Sequence, residues 1–147
     1  MSSQITDHFA WSEFTASDGT EVPDEYKPNV ILLCEQLEII RAYIEAPLII
    51  TSGYRTTEIN RAVGGSDGSQ HTYAAAVDLK SHLYSPAVLA REINALAERG
   101  AIINGGIGFY KKTHVHYDIG FGMKRPKRRW PIEWWRDMPM NIKRGRA

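Results

Sequence analysis

His71 and Asp78 stand seven positions apart, and His114, His116 and Asp118 follow about forty residues later. Two imidazole nitrogens and one carboxylate oxygen form the donor set that catalytic zinc takes when a fourth position is left for water, and His71, Asp78 and His116 supply it. Water in such a position ionises near neutral pH, so the chemistry expected of this trio is metal-assisted hydrolysis.

Residues seven apart do not meet on a helix as i, i+4 pairs do. His71 is therefore placed on a loop, Asp78 on the strand that the loop feeds, and His116 on another strand. Side chains alternate along a strand, so His114, His116 and Asp118 share one face while Val115, Tyr117 and Ile119 share the other. Three ionisable groups on one face make a poor core and a good site.

The elements that must carry these residues follow from periodicity and breakers. Val30, Leu33, Leu37, Ile40 and Ile44 recur at steps of three and four after Pro28, which predicts a helix with one buried face, ended by Pro47. Leu48–Thr51 reads as a buried strand, residues 57–63 as a short helix closed by Gly64-Gly65, and Ala75–Leu79 as a second strand. Ser85-Pro86 is a cap and first-turn proline for a helix running to Gly100. Two strands, near Gly106–Phe109 and Val115–Ile119, flank a polar turn. The fold class expected is α+β: one domain, with a small, mostly antiparallel sheet packed against helices and the metal site on the sheet face.

A chain of 147 residues is one ordinary domain, and its 43% hydrophobic and 24% charged content is that of a soluble globular protein. The longest apolar run, Val30–Cys34, is far too short to cross a bilayer. Met1–Asp7 has neither a basic nor an apolar region of the secretory type, so synthesis in a cytoplasm is expected. Cys34 is the only cysteine, which excludes an internal disulfide and a cysteine-based zinc finger; on a helix rich in Leu and Ile it reads as a small buried hydrophobe. Residues 124–147 carry nine Lys and Arg against Glu133 and Asp137, a net +7, leaving −6 for residues 1–123. The chain is accordingly divided into a domain over 1–123 and a basic tail over 124–147. With Trp130, Trp134 and Trp135 interleaved, the tail is either an adhesive for an anionic surface or protein, or a partly packed terminal strap. His8 and His82 read as surface or capping residues, Trp11 and Phe14 as core, and Asp67 as a turn residue.

The motifs resemble those of the zinc peptidases of the D-Ala-D-Ala carboxypeptidase type, a group that includes phage L-alanyl-D-glutamate endolysins and the hedgehog signalling domain. A first motif, S-x-H-x-x-G-x-A-x-D, is met by Ser69, His71, Ala74 in place of the usual Gly, Ala76 and Asp78. A second, H-x-H, is met by His114 and His116. Ser52-Gly53-Tyr54-Arg55, Asn60, Gly64-Gly65, Gly106-Ile107-Gly108 and Arg128-Arg129-Trp130 also look like the family, and the likeness covers most of the chain. The resemblance implies that His71, Asp78 and His116 bind zinc and that Arg55 lies beside the metal, where it binds a substrate carboxylate or steadies an oxyanion. It implies too that His114 sits by the metal without ligating it, stabilising the oxyanion or serving as an acid toward the leaving amine. Many relatives carry an acidic base three positions before the last ligand, where this chain has Thr113. Asp118 is left either as the replacement base or as a group that orients a ligating imidazole.

The function expected is zinc-dependent cleavage of a peptide bond in bacterial peptidoglycan, by a carboxypeptidase or an endolysin-type endopeptidase of phage or prophage origin that reaches the cell wall without the secretion pathway. The partner expected is a peptidoglycan stem peptide, with an anionic surface or virion protein as a further partner of residues 124–147. The rival from another class is a zinc-bearing binding or structural component with little catalysis, such as a virion protein, and Thr113 favours it. Nucleic-acid binding has only the basic tail in its favour and no readout motif.

Overall fold

The computed structural model describes residues 3–138. The chain runs α1 (Lys27–Ile44), β1 (Ile49–Ser52), α2 (Thr57–Ala62), β2 (Ala76–Lys80), α3 (Pro86–Glu98), β3 (Gly106–Tyr110), β4 (His114–Asp118), β5 (Arg128–Trp130) and α4 (Ile132–Asp137). The sheet order is β1-β2-β4-β3-β5, antiparallel throughout except for β5, which lies parallel to β3. The α+β class and the antiparallel sheet are as the periodicity predicts. No helix among the described residues is long and apolar enough to cross a membrane.

One sheet face and two helices make the core. Val30, Leu33, Leu37, Ile40 and Ile44 of α1 and Leu89, Ile93 and Leu96 of α3 are buried together with Val77, Leu79, Ile107, Val115 and Tyr117 from the strands. Cys34 is buried among them, and burial pushes its thiol pKa upward, so it is a packing residue. Phe14 is buried and Trp11 packs partly buried on the core, as expected, while Asp67 sits in a turn. Ser85 accepts a hydrogen bond from the Val88 N–H and caps α3, with Pro86 in its first turn.

One segment differs from expectation. His71 is not on an open loop: Gln70–Tyr73 form a 3₁₀ turn, started by Ser69, whose hydroxyl accepts from the His71 N–H. Ala74 ends that turn at φ 54, a left-handed conformation that costs an L-residue roughly 1–2 kcal/mol, which accounts for the glycine usual at this motif position. Beyond residue 123, where a partly packed strap is one of the two readings, β5 completes the sheet. Arg129 points to the helix side and donates to Asn94 Oδ1 of α3 and to the Gly105 carbonyl. Trp134 stacks on Phe109 with ring centroids 4.0 Å apart, and Trp135 Nε1 donates to the Trp130 carbonyl. The basic segment through Asp137 is thus packed on the domain; Lys143, Arg144 and Arg146 lie outside the described residues.

Candidate active site

The sheet register brings the site together in one row. Ser52 of β1 stands opposite Asp78 of β2, Asp78 opposite His116 of β4, His116 opposite Gly108 of β3, and Gly108 opposite Trp130 of β5. Because side chains alternate, this row projects from the face that the core does not use. The adjoining row holds Asp118 and Arg128, and the other neighbour pairs His114 with Tyr110. A cleft of about 790 Å³ opens over these residues, walled also by residues 63–71.

Hydrogen bonds decide which nitrogen of each imidazole faces the cleft. His71 Nδ1 lies 2.7 Å from the Gly53 carbonyl, an acceptor only, so that nitrogen carries the proton and Nε2 keeps its lone pair toward Asp78 Oδ1 at 3.2 Å. His116 Nε2 lies 2.6 Å from Asp118 Oδ2, which leaves Nδ1 facing Asp78 Oδ1 at 3.5 Å. The two rings meet edge to face, centroids 5.1 Å apart. One nitrogen of each histidine and one oxygen of Asp78 all lie within 4.8 Å of one another in buried surroundings, a group that could hold a metal ion.

Charge is balanced around the trio. Burial opposes ionisation of Asp78, but the His116 and His71 imidazoles beside it outweigh that and hold the carboxyl well below the usual carboxylate range. Burial pushes His71 down, whereas at His116 the same desolvation is outweighed by Asp118 and Asp78, which raise it. Arg55 donates to Asp78 Oδ2 at 2.9 Å and to Ser52 Oγ. His114 is half-buried, its Nε2 3.6 Å from Asp78 Oδ2 and its ring stacked on Tyr110, and burial lowers its pKa. Thr113 lies in the exposed β3–β4 turn, its hydroxyl 2.8 Å from His114 Nδ1.

Asp118 has no solvent exposure. Its Oδ1 accepts from the Gly106 and Gly120 N–H groups and from Arg128, and its Oδ2 meets His116. Glycines make room for this arrangement. A Cβ on Gly106 would stand 2.3 Å from Asp118 Oδ2, and one on Gly108 would stand 2.4 Å from the Trp130 ring, which itself packs 4.9 Å from His116.

A model of the family described as Peptidase M15 matches residues 7–118. The chain belongs to the peptidase M15 family. M15 peptidases are zinc metallopeptidases of the D-Ala-D-Ala carboxypeptidase-like group, so the resemblance carried by the motifs is shown, and the His71–Asp78–His116 group is where this M15 chain could hold its metal. Compared with the curated proteins, the chain has no match.

The structure thus collects Arg55, His71, Asp78, His114, His116 and Asp118 around one cleft, and leaves His8, bonded to Glu38, and exposed His82 outside it. Sequence patterning assigns no role to the Gly53 carbonyl, Gly106, Gly108 and Arg128. Their signal was the dense glycine around β3 and the Arg-Arg-Trp run, neither of which names a partner.

Proposed function

We propose that the protein hydrolyses a peptide bond of bacterial cell-wall peptidoglycan, with zinc held by His71 Nε2, Asp78 and His116 Nδ1. The observation that carries this reading is the pair of hydrogen bonds to the Gly53 carbonyl and Asp118, which turn His71 Nε2 and His116 Nδ1 toward an ionised Asp78 as the one nitrogen of each ring open to a metal. That donor set fits zinc. When bound, the metal supplies Lewis acidity and lowers the pKa of water toward neutrality. Asp118, fully buried and holding His116 Nε2, fixes the ring and its tautomer, which favours the orienting role over that of a base exchanging protons with the cleft. Arg55 presents cationic N–H groups beside Asp78 to a developing oxyanion. His114, kept neutral by burial, accepts or returns a proton at Nε2 while Thr113 holds Nδ1.

Incubating the zinc-loaded protein with muropeptides, with and without chelator, and reading products by mass tests the proposal. Chelator-sensitive cleavage is expected. Intact muropeptides with zinc still bound would replace it by the second reading, a zinc-bearing binding component such as a virion protein; the exposed Thr113, where relatives carry an acid, is the observation on that side.

A further inference from the structure

Two guanidinium groups approach the metal-ligating trio from opposite ends of the strand order. Arg55 follows β1 and is committed to Asp78 and Ser52. Arg128 opens β5 beyond the other edge of the antiparallel strands, and it too lines the cleft. Its Nε donates to the Pro126 carbonyl and one terminal nitrogen to Asp118. Both terminal nitrogens lie 2.9 Å from where a Cβ of Gly106 would stand, so the group rests against a strand that has no side chain there. Its side chain is 30% exposed, and Trp130 flanks it, the guanidinium carbon 5.9 Å from the ring centroid.

This anchoring leaves a rigid cation with unspent donors. Among the described residues, no acceptor meets the other terminal nitrogen of Arg128. Of the acidic residues lining the cleft, Asp78 and Asp118 are engaged by histidines and arginines, and Asp67 sits on the exposed 63–68 turn. A guanidinium whose orientation is already fixed loses little entropy when it binds, and its planar fork matches a carboxylate.

We infer that Arg128 is a specificity residue: its free N–H groups hold a carboxylate of the peptide substrate, while its bonded side braces Asp118. The inference rests on the peptidase function proposed for the same cleft. It explains why an arginine that already serves a buried aspartate is left open to the cleft and beside Trp130. It also divides the labour between the two arginines, Arg55 at the reacting carbonyl and Arg128 at a charged end of the substrate.

The test is calorimetric binding of acetyl-D-alanyl-D-alanine and of its C-terminal carboxamide to zinc-loaded protein, with zinc content measured alongside. Wild type is expected to bind the acid at least tenfold more tightly than the amide. Arg128→Gln is expected to bring the ratio close to one, and Arg128→Lys, which keeps a cation but not the fork, to an intermediate value. The Lys variant reads the same ratio should the Gln variant not fold. A purely structural Arg128 would weaken both peptides alike and leave the ratio standing. Equal binding of acid and amide by wild type, a ratio unchanged in Arg128→Gln, or a ratio lost in Arg55→Gln but kept in Arg128→Gln would each overturn the inference. Uncleaved muropeptides with the acid preference intact would sink the peptidoglycan function and leave this assignment standing; cleaved muropeptides without the preference would do the reverse.

Discussion

His116 Nε2 lies 2.6 Å from Asp118 Oδ2, and this contact determines that Nδ1 is the nitrogen turned toward Asp78. Metal-ligating histidines commonly depend on such a partner, and mutating it typically lowers metal affinity about 10–100-fold. Asp118→Asn should therefore loosen zinc by that order, since an amide can present its NH₂ to Nε2 and favour the wrong tautomer. Activity measured at saturating zinc should fall much less than affinity does. A large fall in turnover with zinc affinity unchanged would instead make Asp118 the working base.

Gly108 is the one position in the site row without a side chain, and Trp130 occupies the space. Gly108→Ala should displace the Trp130 ring from His116 and destabilise the fold by about 1–3 kcal/mol, as overpacking does. Thermal unfolding would show it. An unchanged midpoint would mean that Trp130 is held only loosely over the sheet.

The chain beyond residue 123 divides into two parts with different expected behaviour. Ending the protein after residue 138 should leave folding and zinc content intact and, if the basic end binds an anionic surface, weaken that binding most at low salt. Ending it before Arg128 removes β5, with the Arg129 bonds to Asn94 and Gly105, and should lower stability markedly. Equal thermal midpoints for the two truncations would contradict the packing of β5.

Zinc and protons compete for the same nitrogens. Because His116 has a raised pKa in the metal-free fold, the metal-free protein holds that proton to higher pH than a free histidine would. Adding zinc near neutral pH should release it, and apparent zinc affinity should fall as pH drops through the histidine range. The same raised pKa stabilises the metal-free fold below the unfolded histidine value, a contribution lost as pH rises through the folded value. Proton release measured in weakly buffered solution checks the coupling, and its absence at all pH values would show that metal does not displace the His116 proton.

Much of this site was legible because its signals are periodic. Alternation along His114–Asp118 puts three ionisable groups on one face, and the helical spacing of Val30, Leu33, Leu37, Ile40 and Ile44 puts the core on the other. The rest depended on contacts that no local pattern encodes. Which nitrogen of His71 is free is set by the Gly53 carbonyl, eighteen residues away. Strand β5 is three residues long, too short to alternate visibly, and its two arginines read as a charge run; in the fold Arg129 reaches α3 while Arg128 faces the cleft. The 3₁₀ turn at His71 was hidden by Ala74, which adopts a left-handed conformation where glycine would have announced the turn.

Elemental analysis of the purified protein and its variants reads out whether His71, Asp78 and His116 form one metal site. Wild type should carry one zinc per chain. His71→Ala, Asp78→Ala and His116→Ala should each lose most of it, while His8→Ala and His82→Ala, remote from the cleft, should keep it. A wild-type protein that takes up no zinc, or equal zinc in all five variants, would mean that these three residues are not its metal site.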